Sequence, residues 1–488
     1  MTLRPDTTVL SAVIGVDSST QSTKAAIVET GSGRLLAVGR APHTVTGADG
    51  ARESDPENWW QALRAAVAEA LAESGLAPSA ISGIAVAGQQ HGLVVLDHDG
   101  VPLRPALLWN DTRSAPQAAA LTAAMGPDGW LDRVGSVPVA SMTAAKWMWL
   151  RENEPDTAAA AAAVRLPHDF LTERLCGVAV TDPGDASGTC WYSPAAGGYD
   201  PEVLALTGMR AELLPAVAAT GAALAGRLTA AAAEALGLPA GIAVAAGTGD
   251  NMAAAVGLGL GAEGLLDHPV VSLGTSGTVF AATRSRPHSP LLAGFAAADG
   301  THLPLGCTLN CTLAVDKVAE LLGLAREDAA PGGDTVLLPF LDGERTPDLP
   351  SASGLLYGLR HTTTREQILG AAYEGAVVTV LRALDELPFD APDAPLRLIG
   401  GGARGAFWVE TVRRLSGRPV VVPDSGELVA LGAAALAAGA VTGRDPVGLA
   451  TDWGTGLGRE LPALARDKAT WDRVTSVLDR AAPALLSP

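Results

Sequence analysis

The stretch VIGVDSSTQSTKAAIVE, residues 13–29, places a short polar segment between two apolar runs. Residues 13–17 are typical of a buried β-strand and residues 25–28 of its antiparallel partner, so the polar segment forms the turn of a β-hairpin. Asp17 stands at the end of the first strand, and serine and threonine follow it in the turn. The stretch therefore predicts a hairpin that presents one carboxylate beside several hydroxyl groups.

A second stretch repeats this layout in the other half of the chain. Residues 270–283, VVSLGTSGTVFAAT, again show an apolar run, a turn of glycine, serine and threonine, and a second apolar run. Strand and helix patterns alternate throughout, which indicates α/β architecture in both halves. The two matched hairpins predict two α/β domains of similar topology, residues 1–256 and 257–488, joined near a glycine-rich candidate hinge at residues 247–264.

Helical patterns accompany these hairpins. Residues 54–75 form the strongest helix prediction, because Pro56 suits the first helical position and Gly75 can end the helix. The segment MTAAKWMWL predicts a helix with Lys146 at its polar edge. The alanine-rich residues 157–164 predict a further helix by propensity.

The composition of the two turns favours a binding role for them. Backbone N–H groups and hydroxyls that converge in a tight turn suit phosphate oxygens, which need several donors and no bulky wall. A carboxylate such as Asp17 beside phosphates suits Mg²⁺, which prefers one or two carboxylates together with waters and phosphate oxygens. Ordinary hairpin chemistry is the alternative, since the same residue types are common in turns. For two matched hairpins, one of which carries Asp17, we favour phosphate binding.

Two glycine-rich segments add further candidates. In GTGDNMAAAVG, residues 247–257, Asp250 and Asn251 stand at the start of a predicted helix, and Asp250 is either functional or only an N-cap. In residues 396–417 a strand, three glycines and a helix follow one another, and the glycines at 400–402 let the backbone lie close against a flat or anionic group. A tight strand-to-helix turn is the alternative there, although three consecutive glycines exceed what such a turn requires.

Composition and charge exclude several classes of protein. At 488 residues the chain is too long for one ordinary core. The formal net charge of -18 disfavours nucleic acid or an anionic membrane as the main partner, since both need a basic face. Four cysteines without a C-x-x-C pair favour reduced thiols, and the start of the chain has no apolar signal core, so we expect a soluble cytoplasmic protein. P-loop and protein-kinase catalytic motifs are absent from the sequence.

Taken together, ten segments in order between residues 13 and 440 resemble the FGGY carbohydrate kinases, within the sugar kinase, Hsp70 and actin superfamily. The segments are GVDSSTQSTKA, DPENWW, VAGQQHG, LLWNDTR, PHDFLTERLCG, TDPGDASGTCW, AAGTGDNMAAAVG, VSLGTSGT, LPFLDGERTP and IGGGARGAFW. The resemblance implies two ribonuclease-H-like α/β domains around a central cleft. It also implies that the protein uses ATP and Mg²⁺ to phosphorylate a sugar.

The resemblance assigns roles to individual positions. Asp250 corresponds to the general base that removes the proton from the attacking sugar hydroxyl, and Asp17 to the carboxylate associated with Mg²⁺. The positions that border the phosphates are Ser19, Thr20, Gly274 and Thr275. The adenosine motif corresponds to Gly401, Gly402 and Ala403. The positions that contact the sugar are Gln90, His91, Trp109 and Asn251. By themselves, the histidine could be a satisfied buried residue and the tryptophan a core residue, but their neighbourhood favours function.

Within the family, the segments are most similar to kinases that convert D-xylulose to D-xylulose 5-phosphate. Two positions depart from the usual patterns. Ser19 replaces a glycine of the first phosphate motif, so it is either mildly strained or adds a hydroxyl donor. Gln90 replaces a methionine that is common in that subgroup. A kinase for D-ribulose, a pentitol or another polyol is therefore the first alternative, and a non-catalytic actin-like ATP-binding protein the second. Family members are often dimers, so the resemblance also implies a homodimer.

Overall fold

The structure is a computed structural model, and it describes residues 11–261, 268–347, 349, 351–388, 391 and 393–483. The last three residues of the predicted hinge, 262–264, lie outside this part of the chain. Contacts divide the chain into two compact units. The first unit comprises the described residues up to 261 together with Gly294–His302 and Glu427–Gly456. The second comprises the described residues from 268 to 293, Leu303–Gly426, and those from 457 to 483.

Strands and helices alternate along the chain, as the sequence predicts. The strands are β1 (Ala12–Ser18), β2 (Ser22–Glu29), β3 (Leu35–Pro42), β4 (Glu53–Ser54), β5 (Ile81–Gly88), β6 (Val94–Leu96), β7 (Ala106–Leu107), β8 (Ala163–Arg165), β9 (Val180–Thr181), β10 (Tyr192–Ser193), β11 (Gly198–Tyr199), β12 (Ala216–Val217), β13 (Leu224–Arg227), β14 (Ala243–Ala245), β15 (Thr248–Gly249), β16 (Val270–Leu273), β17 (Gly277–Phe280), β18 (Ala293–Ala296), β19 (His302–Thr308), β20 (Val336–Leu338), β21 (Leu355–Tyr357), β22 (Leu396–Ile399), β23 (Val420–Pro423) and β24 (Gly458–Leu461). The helices are α1 (Pro56–Ser74), α2 (Ala115–Val134), α3 (Thr143–Asn153), α4 (Pro155–Ala160), α5 (Pro167–Cys176), α6 (Pro183–Ser187), α7 (Pro201–Thr207), α8 (Ala230–Leu236), α9 (Asp250–Gly257), α10 (Thr312–Leu322), α11 (Arg365–Asp385), α12 (Ala406–Ser416), α13 (Leu428–Thr442), α14 (Pro446–Trp453) and α15 (Lys468–Ala481).

The main sheet of the first unit is mixed and has the order β13-β14-β5-β1-β2-β3, with β15 as an additional partner of β5. The hairpin predicted from residues 13–29 is confirmed, because β1 and β2 pair antiparallel. Strand β5 is parallel to β1, and both β14 and β15 are parallel to β5. The carboxyl ends of β1, β5 and β15 therefore meet at one edge of this sheet.

Helices cover both faces of β1, and the alternation of its side chains shows how. Ile14 and Val16 belong to the same apolar core as Trp59 of α1, on one face of the sheet. A side chain at Gly15 would point to the other face, which is covered by helix α13. The helix lies so close that a Cβ on this glycine would come within 1.9 Å of the carbonyl oxygen of Ala430. The alanine- and glycine-rich sequence of α13 allows this close packing, and so a helix from late in the chain completes the first unit.

The helix predictions have mixed outcomes. Helix α1 is confirmed: the Asp55 side chain caps it by accepting from the Glu57 backbone N–H at 3.0 Å, and Gly75 ends it with φ 64°. The alanine-rich segment is helical only as far as the end of α4, because the residues after it pair as β8 with β6. Lys146 is not at a polar edge: it is fully buried in α3, and its ammonium donates to the carbonyl oxygens of Ala140 and Ser141.

The second unit contains the other predicted hairpin. Strands β16 and β17 pair antiparallel around the turn, and β22 is parallel to β16. Six of its strands have the order β19-β17-β16-β22-β23-β24. The predicted strand, glycine turn and helix of residues 396–417 are confirmed as β22, a 3₁₀ turn at Gly401–Arg404 and α12. Strand β22 ends beside β16, so the two glycine-rich turns lie at the same edge of the sheet.

Across the described residues, no single helix is long and apolar enough to cross a membrane. The pair α13 and α14 meets the requirement only together, with a bend of 119° between them.

Candidate active site

Three of the predicted site residues in the first unit follow the carboxyl ends of parallel strands. Asp17 lies at the end of β1, Gln90 follows β5, and Asp250 follows β15. The register places Gly88 opposite both Ser18 and Gly249, so the three strand ends are level. In open α/β sheets this edge is where ligands bind, because loops and helix N-termini converge there.

Asp17 is 5% exposed and its carboxylate is held from two directions. The Ser19 hydroxyl donates to Oδ1 at 2.7 Å, and the Lys24 ammonium lies 3.5 Å from Oδ2. Burial raises the pKa of Asp17, and the charge of Lys24 opposes this effect. Ser19 does not adopt a positive φ, so the alternative that this residue is strained is wrong. Its hydroxyl is instead an added hydrogen-bond donor, and it donates to Asp17.

Lys24 links Asp17 to a second carboxylate that the sequence analysis did not include. Its ammonium is 3.0 Å from Glu427 Oε2, and Arg40 also pairs with Glu427. The register of the hairpin sets Lys24 directly opposite Asp17, which a sequence reading of the turn length could have found. Glu427, just before α13, carries no such signal, because only the packing of α13 on the sheet brings it there.

Asp250 is the first residue of α9, and the N-cap of this helix is Gly249. The alternative that Asp250 is only an N-cap is therefore wrong. Its Oδ1 accepts hydrogen bonds from the backbone N–H of Asn251 at 2.8 Å and from the side-chain amide at 3.0 Å. That amide also donates to Gln90 Oε1 at 2.9 Å. Burial, together with the negative charges of Asp17 and Asp185, raises the pKa of Asp250 to about 7.

His91 adopts a backbone conformation that is uncommon outside glycine, with φ 65°. Its Nδ1 lies 2.8 Å from the carbonyl oxygen of Gly188, so Nδ1 carries a proton and donates it. The Thr143 hydroxyl donates to the His91 carbonyl at 3.2 Å, and the ring packs against Phe295 with centroids 5.6 Å apart. A strained backbone that is held by several contacts is typical of a functional position.

Trp109 connects the loop after β7 to the first hairpin. Its indole N–H donates to the Thr20 hydroxyl at 3.0 Å, and the side chain is half-buried. This bond brings together one residue predicted to contact the sugar and one predicted to border the phosphates.

A buried group of charged side chains, the His168 cluster, lies beside this edge of the sheet. Its members are His168, Asp169, Asp182 and Asp185. Burial alone would lower the pKa of His168, but the three carboxylates raise it to about 9, so the imidazole is cationic at neutral pH. Asp185 Oδ2 accepts from His168 Nδ1 at 2.7 Å, whereas its Oδ1 has no hydrogen-bond partner within the part of the chain that the structure describes.

Gly249 has no side chain, which allows Asp185 of this cluster to pack close to the backbone next to Asp250. A Cβ at Gly249 would come within 2.7 Å of Gln90 Cγ and 3.1 Å of Asp185 Oδ1. Only glycine leaves room for these two side chains next to the backbone that leads into Asp250. The sequence analysis used the segment TDPGDASGTCW only for the resemblance and did not select Asp185.

The remaining predicted residues lie together in the second unit. Gly274 and Thr275 form the turn after β16, and the Thr312 hydroxyl donates to the Gly274 carbonyl at 2.8 Å. Gly402 lies against the end of the same strand, since a Cβ there would be 2.7 Å from Leu273 Cβ. Gly401 is exposed, while Gly402 and Ala403 are buried. This unit thus brings Gly274 and Thr275 close to the three residues of the adenosine motif.

Comparisons with known proteins show the family and the relatives of this chain. Residues 12–257 match the N-terminal domain model, and residues 270–441 the C-terminal domain model, of the FGGY family of carbohydrate kinases. Curated relatives include the xylulose kinase of Streptomyces coelicolor, 57% identical, and that of Streptomyces rubiginosus, 56% identical, each with 97% of both chains covered. Among solved structures, a xylulose kinase from Bifidobacterium adolescentis has a TM-score of 0.79 and 31% identity over 96% of this chain and 100% of that chain.

The fold and these comparisons define a class: kinases that phosphorylate a sugar with ATP and contain two α/β domains of the ribonuclease-H-like fold. Within that class, the chain belongs to the FGGY family of carbohydrate kinases. The predictions of family, fold class and sugar kinase activity are confirmed. A non-catalytic actin-like protein is no longer an alternative.

Proposed function

We propose that the chain transfers the terminal phosphoryl group of ATP to D-xylulose and forms D-xylulose 5-phosphate. The high identity to two proteins named xylulose kinase, over nearly the whole of each chain, supports this substrate. The observation that carries the chemistry is the environment of Asp250, a carboxylate with a pKa of about 7 that hydrogen bonds hold at the strand edge.

Asp250 serves as the general base in this proposal. A general base works best when its pKa is near the operating pH, because it is then ionised often enough and still basic enough to take a hydroxyl proton. Both bonds from Asn251 reach Oδ1 of Asp250. They fix the orientation of the carboxylate, and Oδ2 is the oxygen that we propose accepts the proton of the sugar.

Asp17 is the carboxylate that we propose holds Mg²⁺. The described residues contain no group of three or more histidine, cysteine, aspartate or glutamate side chains that could by itself hold a metal ion. Mg²⁺ at a kinase site does not need such a group, since one carboxylate, waters and phosphate oxygens satisfy it. Asp17 fits because it is a buried carboxylate next to the hydroxyl-rich turn, near a second carboxylate at Asp250. When bound, the metal would neutralise charge on the phosphates.

The nucleotide contacts are assigned to small residues. The first hairpin offers Ser19 and Thr20, and the second offers Gly274 and Thr275, as neighbours of the phosphates. Gly401, Gly402 and Ala403 offer a surface without large side chains for the adenosine. Backbone N–H groups in such turns bind phosphate without any cationic side chain.

The sugar contacts are assigned to Gln90, His91, Trp109 and Asn251. Gln90 and His91 carry both hydrogen-bond donors and acceptors, which suits a chain of neutral hydroxyls. The half-buried indole of Trp109 can cover the C–H side of an extended sugar. A site of this kind rejects analogues that leave its polar groups unpaired.

Three further expectations stay proposals: a domain division between residues 256 and 257, a homodimer and a cytoplasmic location. The substrate is tested by coupling ADP release to a spectroscopic signal for D-xylulose, D-ribulose, L-ribulose, xylitol and glycerol. We expect the highest kcat/KM for D-xylulose and a much lower value for glycerol, which is too short to reach all four contacts. A clear preference for another sugar would reject D-xylulose as the substrate and leave the family unchanged.

A further inference from the structure

The second unit holds a buried carboxylate, Glu344, that none of the roles above uses. We propose that Glu344 is a positioning residue for the phosphate turn at Gly274 and Thr275, and that it acts through residues 309–312. The inference rests on the proposed function, because it takes this turn to be a nucleotide contact.

Glu344 is 1% exposed and fixes the loop that precedes α10. Its Oε1 accepts from the backbone N–H of Leu309 at 2.6 Å. Its Oε2 accepts from both the backbone N–H of Asn310 at 3.3 Å and the side-chain amide of the same residue at 3.0 Å. That amide also donates to the Gly343 carbonyl at 2.7 Å. One carboxylate thus binds two consecutive residues of the loop through backbone and side chain.

The next two residues of the loop carry this constraint to the phosphate turn. The backbone N–H of Cys311 donates to the Thr275 carbonyl at 3.3 Å, and that of Thr312 donates to the Gly274 carbonyl at 3.0 Å. The Thr312 hydroxyl donates to the Gly274 carbonyl as well, at 2.8 Å. Both carbonyls of the turn are therefore held by residues that directly follow the pair bound by Glu344, and their orientation sets where the N–H groups of the turn point.

The use of a carboxylate at this place is costly, which argues for a specific role. Burial raises the pKa of Glu344, and four donors, among them the backbone N–H of Arg345 at 2.8 Å, compensate for the loss of water. A buried charge is a poor source of stability, because desolvation offsets much of what its hydrogen bonds contribute. It does fix geometry, since removal of one partner leaves several groups unpaired.

The chain provides a matched control at Glu374. This glutamate is also 1% exposed, also lies in the second unit, and also has a pKa raised by burial. Its partners are Arg414 at 2.6 Å and the backbone N–H of Gly332 at 3.3 Å, and neither belongs to the phosphate turn or to residues 309–312. The same substitution at both glutamates separates a general loss of stability from a loss of positioning.

The test compares Glu344→Gln with Glu374→Gln. In Glu344→Gln, one oxygen can still accept from Leu309, but the new NH₂ group faces the two N–H donors of Asn310. We expect the Kd for ADP, measured by calorimetry without sugar, and the KM for ATP to rise about tenfold. The KM for D-xylulose should change less than twofold. In Glu374→Gln the ADP affinity should match that of the unmodified protein, even where the melting temperature falls.

One further variant keeps the result decisive. Asn310→Ala removes the side-chain bonds to Glu344 and to the Gly343 carbonyl but keeps the backbone N–H that donates to Glu344. It should weaken ADP binding by a smaller factor, so it replaces Glu344→Gln where that variant does not fold.

Equal ADP affinity in Glu344→Gln and the unmodified protein, or an equal loss in Glu374→Gln, would overturn the inference. Because ADP binding needs no sugar, these outcomes are independent of the substrate. An unmodified protein that does not bind ADP would instead contradict the proposed function.

Discussion

The two units present their candidate site residues in different ways. In the first unit the strand edge carries ionisable side chains, Asp17 and Asp250, with the His168 cluster buried beside them. In the second unit the candidate residues are glycine, threonine and alanine, and the buried carboxylate of Glu344 is linked to the turn at Gly274 and Thr275 through residues 309–312. Both units nevertheless use the same structural device, a hairpin whose first strand has a parallel neighbour.

This difference indicates a division of tasks. Proton transfer and metal binding need ionised oxygens whose pKa the protein can set, and burial with neighbouring charges sets it. Phosphate binding needs donors in a fixed array, which backbone N–H groups supply without any charge. Under the proposed roles, substitutions of the ionisable residues Asp17 and Asp250 in the first unit should therefore affect turnover and its dependence on metal or pH, whereas substitutions in the second unit should affect nucleotide affinity.

Asp250→Asn should have the largest effect. The amide keeps the shape of the side chain and its bonds to Asn251 but cannot take a proton, so kcat should fall by about 10²–10⁴. Steady-state kinetics with D-xylulose measure this fall, and calorimetry with ADP provides the control, which should not change. Turnover near that of the unmodified protein would show that Asp250 is not the base.

Asp17→Ala should come next. It removes the carboxylate proposed to hold the metal, so the Mg²⁺ concentration at half-maximal rate should rise and the maximal rate should fall by about tenfold or more. A titration with MgCl₂ at fixed ATP measures both quantities. The affinity for metal-free ADP should be unaffected. A change only in the KM for the sugar would contradict the proposed role of Asp17 in metal binding.

His91→Ala tests the sugar side of the first unit. Loss of a hydrogen bond to a substrate hydroxyl should lower kcat/KM for D-xylulose, and the corresponding loss of transition-state stabilisation should be about 1–3 kcal/mol. The KM for ATP should stay within twofold. Equal losses for sugar and nucleotide would indicate that His91 supports the fold, through its bond to Gly188, and does not contact substrate.

The pH dependence of kcat/KM tests whether neighbouring charges set the basicity of Asp250. The base acts only when ionised, and its pKa is about 7, so kcat/KM should fall as the pH drops below 7. Asp185→Asn removes a negative charge that disfavours ionisation of Asp250, so it should move this acid limb to lower pH.

Asp169→Asn is the control, because it removes a charge from the same cluster on the other side of His168, where the carboxylate accepts from the Leu166 N–H at 2.8 Å. The limb should move less in this variant. Equal shifts in the two variants, or none in either, would contradict the role of Asp185.

Local patterns in the sequence predicted the elements that carry the site. Both hairpins, the capped helix α1 and the strand, glycines and helix around residue 400 depend on residues that are neighbours in the chain, so periodicity and turn composition were sufficient. The two failures arose because local signals were used where contacts with distant residues decide the structure. Alanine propensity predicted a helix as far as residue 164, but the residues of β8 pair with β6. The charge of Lys146 suggested an exposed side chain, but its ammonium is buried and donates to carbonyl oxygens.

The supports of the site could not be predicted, because they are tertiary contacts. Glu427 reaches Lys24 only through the packing of α13 on β1, and Asp185 reaches Gly249 only because α6 lies beside the strand edge. Neither contact leaves a periodic or compositional signal. The resemblance to a family located the residues proposed to touch the ligands but not the residues that hold them in place.

Thr275→Val should have the smallest effect and sharpens the comparison most directly. Thr275 is exposed in the turn after β16, and valine keeps its branched shape while it removes one hydroxyl. If that hydroxyl borders a phosphate, its loss should cost about one hydrogen bond, roughly 1 kcal/mol, and raise the KM for MgATP several-fold. The backbone N–H groups of the turn remain, so nucleotide binding should weaken without disappearing, and the KM for D-xylulose and the acid limb of the pH profile should not move. Kinetics at several fixed ATP concentrations measure the change, and a shift in the pH profile would mean that the second unit also influences the base.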